Sequence, residues 1–155
     1  MNQPTKARLH HLGVQTSDID NSLKWYIDFF RATEKWELDQ FSELTLSRLP
    51  GIRRLVEVAV GELRFHLFDC ADHNGRVPDE SAYQFQHACI EVSTPEEIAE
   101  IRGHWIDLYR SGRYSFARAD GPTDIVVDSD GVMSLYIYDV NGLEYEFTYV
   151  PEGDR

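Results

Sequence analysis

Short runs of alternating polar and apolar residues recur along this chain, and twice such a run gives way to a helical period. Over residues 9–16, Leu12 and Val14 alternate with His11, Gly13 and Gln15, the pattern of a half-buried strand with His11 on its less apolar face. Ser17-Asp18 supplies N-cap chemistry, and Ile19, Leu23, Tyr26, Ile27 and Phe30 form a stripe that predicts a helix over 19–31. Its aromatic residues Trp25, Tyr26, Phe29 and Phe30 read as core. A strand is expected over 35–41, then a loop over 44–52 around Pro50-Gly51. The clearest hairpin covers 54–69: Val56, Val58 and Val60 alternate before Gly61-Glu62, and Leu63, Phe65 and Leu67 after it. With a two-residue turn at that point Val60 pairs with Leu63, and counting outward sets Glu57 opposite His66.

Polar residues 71–81, with Asn74-Gly75 and Pro78, read as a connector, and the plan then repeats. Over 85–92, Ala88, Ile90 and Val92 alternate with His87, Cys89 and Glu91. Thr94-Pro95-Glu96-Glu97 is a helix start with a cap, a proline at the first helical position and acids in the first turn; the helix should end near Ser111-Gly112. A strand over 114–119 and a loop through Gly121-Pro122 lead to a terminal hairpin, 131–138 with 143–150, closed around Asp139-Val140-Asn141-Gly142. Aligning His11 with His87, a separation of 87 − 11 = 76 residues, superimposes HLGVQTS on HACIEVS and sets a helix after each strand. One module is used twice, over about residues 8–70 and 83–150, within a length of 155 residues that fits a single domain.

Charge narrows the choice of partner. Fifteen Lys and Arg against 27 Asp and Glu give a net charge of -12, which repels nucleic acid and anionic membrane surfaces but leaves small-molecule substrates open. No apolar run is long enough to span a bilayer, the first residues lack the pattern of a secretory leader, and two cysteines without a CxxC pair suggest neither a disulfide framework nor a cysteine zinc site. A soluble cytoplasmic protein is expected.

In four strands the apolar residues fall on one parity and a metal-ligating residue on the other: His11, His66, His87 and Glu146. Three imidazoles and a carboxylate on one sheet face have a physical reason if they share a metal, and they suit one divalent Fe, Mn, Co, Ni or Zn ion better than Mg or Ca. His10 has the opposite parity and is expected to face the helix layer; like His73 in the connector and His104 on the second helix, it is read as a non-ligand. Glu57, opposite His66, is a general base or a hydrogen-bonding partner of that histidine. Arg64 shares the parity of His66 and either binds substrate oxygens or forms a rim salt bridge, while Cys89, on the face of His87, either lines the pocket or is an inert thiol.

The repeated βαβββ pattern, HHLGV opening the first copy, QHACIEV opening the second and DVNGLEYEF closing it resemble the vicinal oxygen chelate superfamily, which includes glyoxalase I, methylmalonyl-CoA epimerase, extradiol dioxygenases and fosfomycin- and bleomycin-resistance proteins. The resemblance runs over about residues 9–149 and implies an α+β fold, two tandem βαβββ modules forming an eight-stranded, cupped mixed sheet with helices outside. It places the metal positions on His11, His66, His87 and Glu146 and implies a homodimer. His66 departs from the pattern, since glyoxalases and epimerases usually carry Glu or Gln there.

A cation held by four protein groups keeps one or two positions for a substrate with adjacent oxygens and favours proton abstraction next to a carbonyl. The reading is therefore a metal-dependent epimerase or isomerase, with Glu146 and Glu57 as catalytic residues and Arg64 and Cys89 against the substrate. Small epimerases of this family that act on keto-cyclitols such as 2-epi-5-epi-valiolone resemble the chain in size. Two alternatives stand beside it: an extradiol-type Fe(II) dioxygenase using His11, His87 and Glu146, and a metal-free protein that sequesters a small molecule.

Overall fold

The computed structural model describes residues 7–71 and 75–153, and the chain divides into two compact units, residues 1–74 and 75–155. His73 lies outside the described residues.

In the first unit, β1 (Leu12–Thr16) leads into α1 (Ile19–Phe30), followed by β2 (Thr33–Leu38), α2 (Glu43–Arg48), β3 (Ile52–Val60) and β4 (Leu63–Cys70). Asp18 caps α1 by accepting the Asn21 N–H at 3.1 Å, and Arg31 ends it in the left-handed region at φ 54°. The sheet runs β1-β4-β3-β2, with β1 parallel to β4 and the other pairs antiparallel. Helix α1 packs on β3 and β4, where Tyr26 and Phe30 meet Phe65 edge-on and tilted, at 5.1 and 4.7 Å between ring centroids. Val56, Val58, Phe65 and Leu67 are buried with Trp25 and Tyr26, the apolar parity read from the sequence. The hairpin has the expected register, Val60 with Leu63 and Glu57 with His66.

Two local expectations are corrected here. Pairing of β1 starts at Leu12, opposite Phe65, so residues 9–11 precede the strand. The loop expected over 44–52 is largely α2, which forms because Ser42 accepts the Thr45 N–H at 3.2 Å as its N-cap.

The second unit repeats the order: β5 (His87–Val92), α3 (Pro95–Arg110), β6 (Val126–Val127), β7 (Met133–Tyr138) and β8 (Glu144–Tyr149), in the sheet order β5-β8-β7-β6. The eight strands among the described residues thus fall into two hydrogen-bonded sheets of four. Thr94 and Glu97 close a capping box at the start of α3. The helix is anchored by Trp105, 2% exposed, whose Nε1–H donates to the Tyr138 carbonyl at 2.8 Å. In the β7–β8 connection the buried carboxylate of Asp139 accepts the backbone N–H groups of Asn141 and Leu143, both at 2.8 Å. Gly142 is at φ 82°, and a Cβ there would meet Val77 Cγ1 at 2.6 Å.

Residues 114–119, expected as a strand, carry none. Phe116 is drawn onto α3, 5.3 Å from the Trp105 ring and 5.0 Å from that of Tyr109, and the Ala117 N–H is taken by the Val140 carbonyl. The sheet's edge is supplied later by Val126–Val127, paired with Ser134 and Met133. No helix among the described residues is long and apolar enough to cross a membrane.

Candidate functional site

The unit boundary divides the predicted ligands into two pairs. In the first unit the His66 ring lies parallel to that of His11, with centroids 3.7 Å apart and 8° between planes. His10 joins them: its Nδ1 is 2.9 Å from that of His11, and one ring nitrogen from each of His10, His11 and His66 lies within 4.8 Å of the others. The expectation that His10 faces the helix layer is therefore corrected. Strand alternation does not reach residue 10, because pairing begins at Leu12, and the side chain is exposed beside its neighbour. Loss of hydration, then the charges of His66 and His10, hold the His11 pKa below its ordinary value, which favours the neutral imidazole that metal ligation needs.

Directly behind His66 stands Glu57, 2% exposed, with Oε2 at 2.8 Å from His66 Nε2. An ionised carboxylate only accepts, so Nε2–H is the donor, and in the neutral imidazole Nδ1 keeps its lone pair. Arg64 Nη1 donates to Glu57 Oε1 at 3.3 Å. Burial by itself raises the Glu57 pKa, but the His66 hydrogen bond and the Arg64 charge outweigh it and leave the carboxyl below its ordinary value. Trp36 meets the His66 ring edge-on at 5.0 Å between centroids. Sequence reading passed over it because β2 lacks a clear alternation.

In the second unit His87 Nε2 lies 3.1 Å from Glu146 Oε2, while its Nδ1 is buried without a hydrogen bond, 3.5 Å from Glu144 Oε1. Cys89 and Tyr136 pair with Glu146 from the two flanking strands, which sets a thiol and a phenol beside its carboxylate. Burial, then the Glu146 charge, push the Cys89 thiol up to about 11 and raise the Tyr136 phenol, so both keep their protons near neutral pH. The Tyr136 ring stands edge-on to His87, with centroids 5.6 Å apart at 87°. Tyr136 was not singled out in the sequence, although its register opposite Glu146 follows from the terminal hairpin once the length of the connection is known. His104 sits on α3.

Each module repeats one geometry. The residue two places after the first predicted histidine of each module, Gly13 after His11 or Cys89 after His87, pairs with His66 or Glu146, which pairs on its other side with Glu57 or Tyr136.

No protein-family model matches the sequence, and no curated protein matches it. Solved structures do resemble the fold. A glyoxylase/bleomycin resistance protein/dioxygenase domain from Frankia sp. EAN1pec is 14% identical, with a TM-score of 0.74 over 97% of this chain and 96% of that one. Lactoylglutathione lyase from Agrobacterium tumefaciens is 22% identical, with a TM-score of 0.60 over 95% and 96%. The fosfomycin resistance protein FosX from Listeria monocytogenes, complexed with Mn(II) and sulfate, is 12% identical, with a TM-score of 0.59 over 94% of both chains. At these identities the likeness establishes the fold of tandem βαβββ modules.

Proposed function

We propose that the chain is a metal-dependent enzyme of the vicinal oxygen chelate superfamily in which His11 and His66 of the first module and His87 and Glu146 of the second share one divalent cation. It acts as an epimerase or isomerase on a small molecule with adjacent oxygens, a keto-cyclitol such as 2-epi-5-epi-valiolone being the leading substrate.

The observation that carries this reading is the matched register. Two sequences with little identity set a histidine two places before a residue that pairs with His66 or Glu146 on the fourth strand, and within each unit bring the two side chains together: rings at 3.7 Å in one, Nε2 and Oε2 at 3.1 Å in the other. The part-burial of His66, His87 and Glu146 has a physical reason if a cation shares them. Three imidazoles and one carboxylate fit a borderline transition ion, and FosX, with the same fold, is complexed with Mn(II).

Such a cation, when bound, supplies positive charge that offsets negative charge developing on the substrate's oxygens. The side chains do the rest. Glu57 orients His66 and, being ionised through the neutral range, is the proton acceptor on the first module's side. Glu146 is the proton acceptor on the second. Arg64, about half exposed beside Glu57, and Cys89, paired with Glu146, would bind the substrate's oxygens.

The test is proton–deuterium exchange in D2O with Mn(II)-loaded protein and a panel of keto-cyclitols, hydroxy ketones and acyl-CoA esters. Label at a carbon next to the carbonyl, lost on chelation, supports the reading. Oxygen consumption with catechols and no exchange would replace it with a dioxygenase, and small-molecule binding undiminished by chelation would replace it with sequestration.

A further inference from the structure

The two modules do not hold their fourth-strand ligands with the same chemistry, and the difference is systematic. His66 offers a donor, Nε2–H, and the third strand sets an acceptor, Glu57, opposite it. Glu146 offers only acceptors, and at the equivalent place the third strand sets a phenol, Tyr136. Partner has changed with ligand so that each pair remains complementary. A chance surface contact would have no reason to keep this match across two modules that differ in nearly every other residue.

We propose that Tyr136 is a positioning residue for Glu146, the second module's counterpart of Glu57, with its hydroxyl donating to the carboxylate and its ring set edge-on against His87. The position serves both of that module's ligands. Tyr136 stands directly across the hairpin from Glu146, and its ring centroid is 5.6 Å from that of His87. Cys89 pairs with Glu146 from the opposite strand, so the strands flanking Glu146 set a group that can donate on either side of it. A carboxylate fixed in this way reaches a cation without first losing rotamer freedom, and loss of such a partner typically weakens metal binding by about 10–100-fold.

This inference rests on the shared-cation reading above and is tested so that the two can fail separately. Mn(II) is titrated into the full chain and into Tyr136→Phe, following free Mn(II) by electron paramagnetic resonance and the melting temperature of each metal-free protein. The expected result is a wild type that binds Mn(II), and a variant that binds it about 10-fold or more weakly with the metal-free melting temperature unchanged. Equal affinity overturns the role of Tyr136 and leaves the metal reading standing, whereas a wild type that takes up no metal overturns both. If Tyr136→Phe also loses metal-free stability, Tyr136→His restores a ring with a donor: recovered affinity supports the assignment, and continued loss overturns it.

Discussion

His66 Nε2 and Glu57 Oε2 lie 2.8 Å apart across the β3–β4 hairpin, and the carboxylate behind the imidazole is only 2% exposed. Removing its charge should be felt in folding. Glu57→Gln keeps the shape but weakens two charge-assisted hydrogen bonds, and is expected to cost about 1–3 kcal/mol in urea unfolding.

The same residue sets part of the acid limb of stability. Its folded pKa is depressed below an unfolded value of about 4.3, so the unfolded chain binds the proton more readily. The stabilisation is therefore present above about pH 4.3 and is lost as pH falls through the lower folded value. Melting curves from pH 6 down to 3 should show a decline in the wild type that Glu57→Gln partly flattens; parallel curves would remove Glu57 from that limb.

Gly142 holds the β7–β8 connection at φ 82°, and an added Cβ would press on Val77 and Arg118. Gly142→Ala should combine a left-handed backbone cost of about 1–2 kcal/mol with that clash, and lower the melting temperature without changing the denaturant slope.

Trp105 pins α3 to its sheet through full burial and its bond to the Tyr138 carbonyl. Trp105→Ala is expected to cost about 3–5 kcal/mol by chemical denaturation, close to the whole stability of a marginal domain.

His10 is close enough to its neighbours to compete as a ligand, and both it and His11 precede β1 and are exposed. Under the four-ligand reading His10→Ala keeps one Mn(II) per chain, whereas His11→Ala does not; calorimetric titration of both variants decides between them.

Much of this was legible in the sequence because strand parity is a strict two-residue code. The valines of β3 and the turn at Gly61-Glu62 are enough to set Glu57 opposite His66, and the structure has that pair. What was not legible depended on forces outside the local pattern. Helix α2 needs only a serine cap in a stretch with proline and glycine next to it. Residues 114–119 have strand-like content, but Phe116 is claimed by the rings of Trp105 and Tyr109. His10 was misread because alternation was extended past the point where β1 stops pairing. Tyr136 was missed because a phenol becomes informative only when the residue across from it is known.

The central proposal is that His11, His66, His87 and Glu146 bind one divalent ion. Pulsed electron paramagnetic resonance of the Mn(II)-loaded protein carrying 15N-labelled histidine, with metal analysis, tests it most directly. The account predicts one Mn(II) per chain coupled to three histidine nitrogens, lost alike in His11→Ala and Glu146→Ala, whose substitutions lie in different modules. Binding that survives either substitution, or an ion coupled only to the histidines of one module, would contradict it.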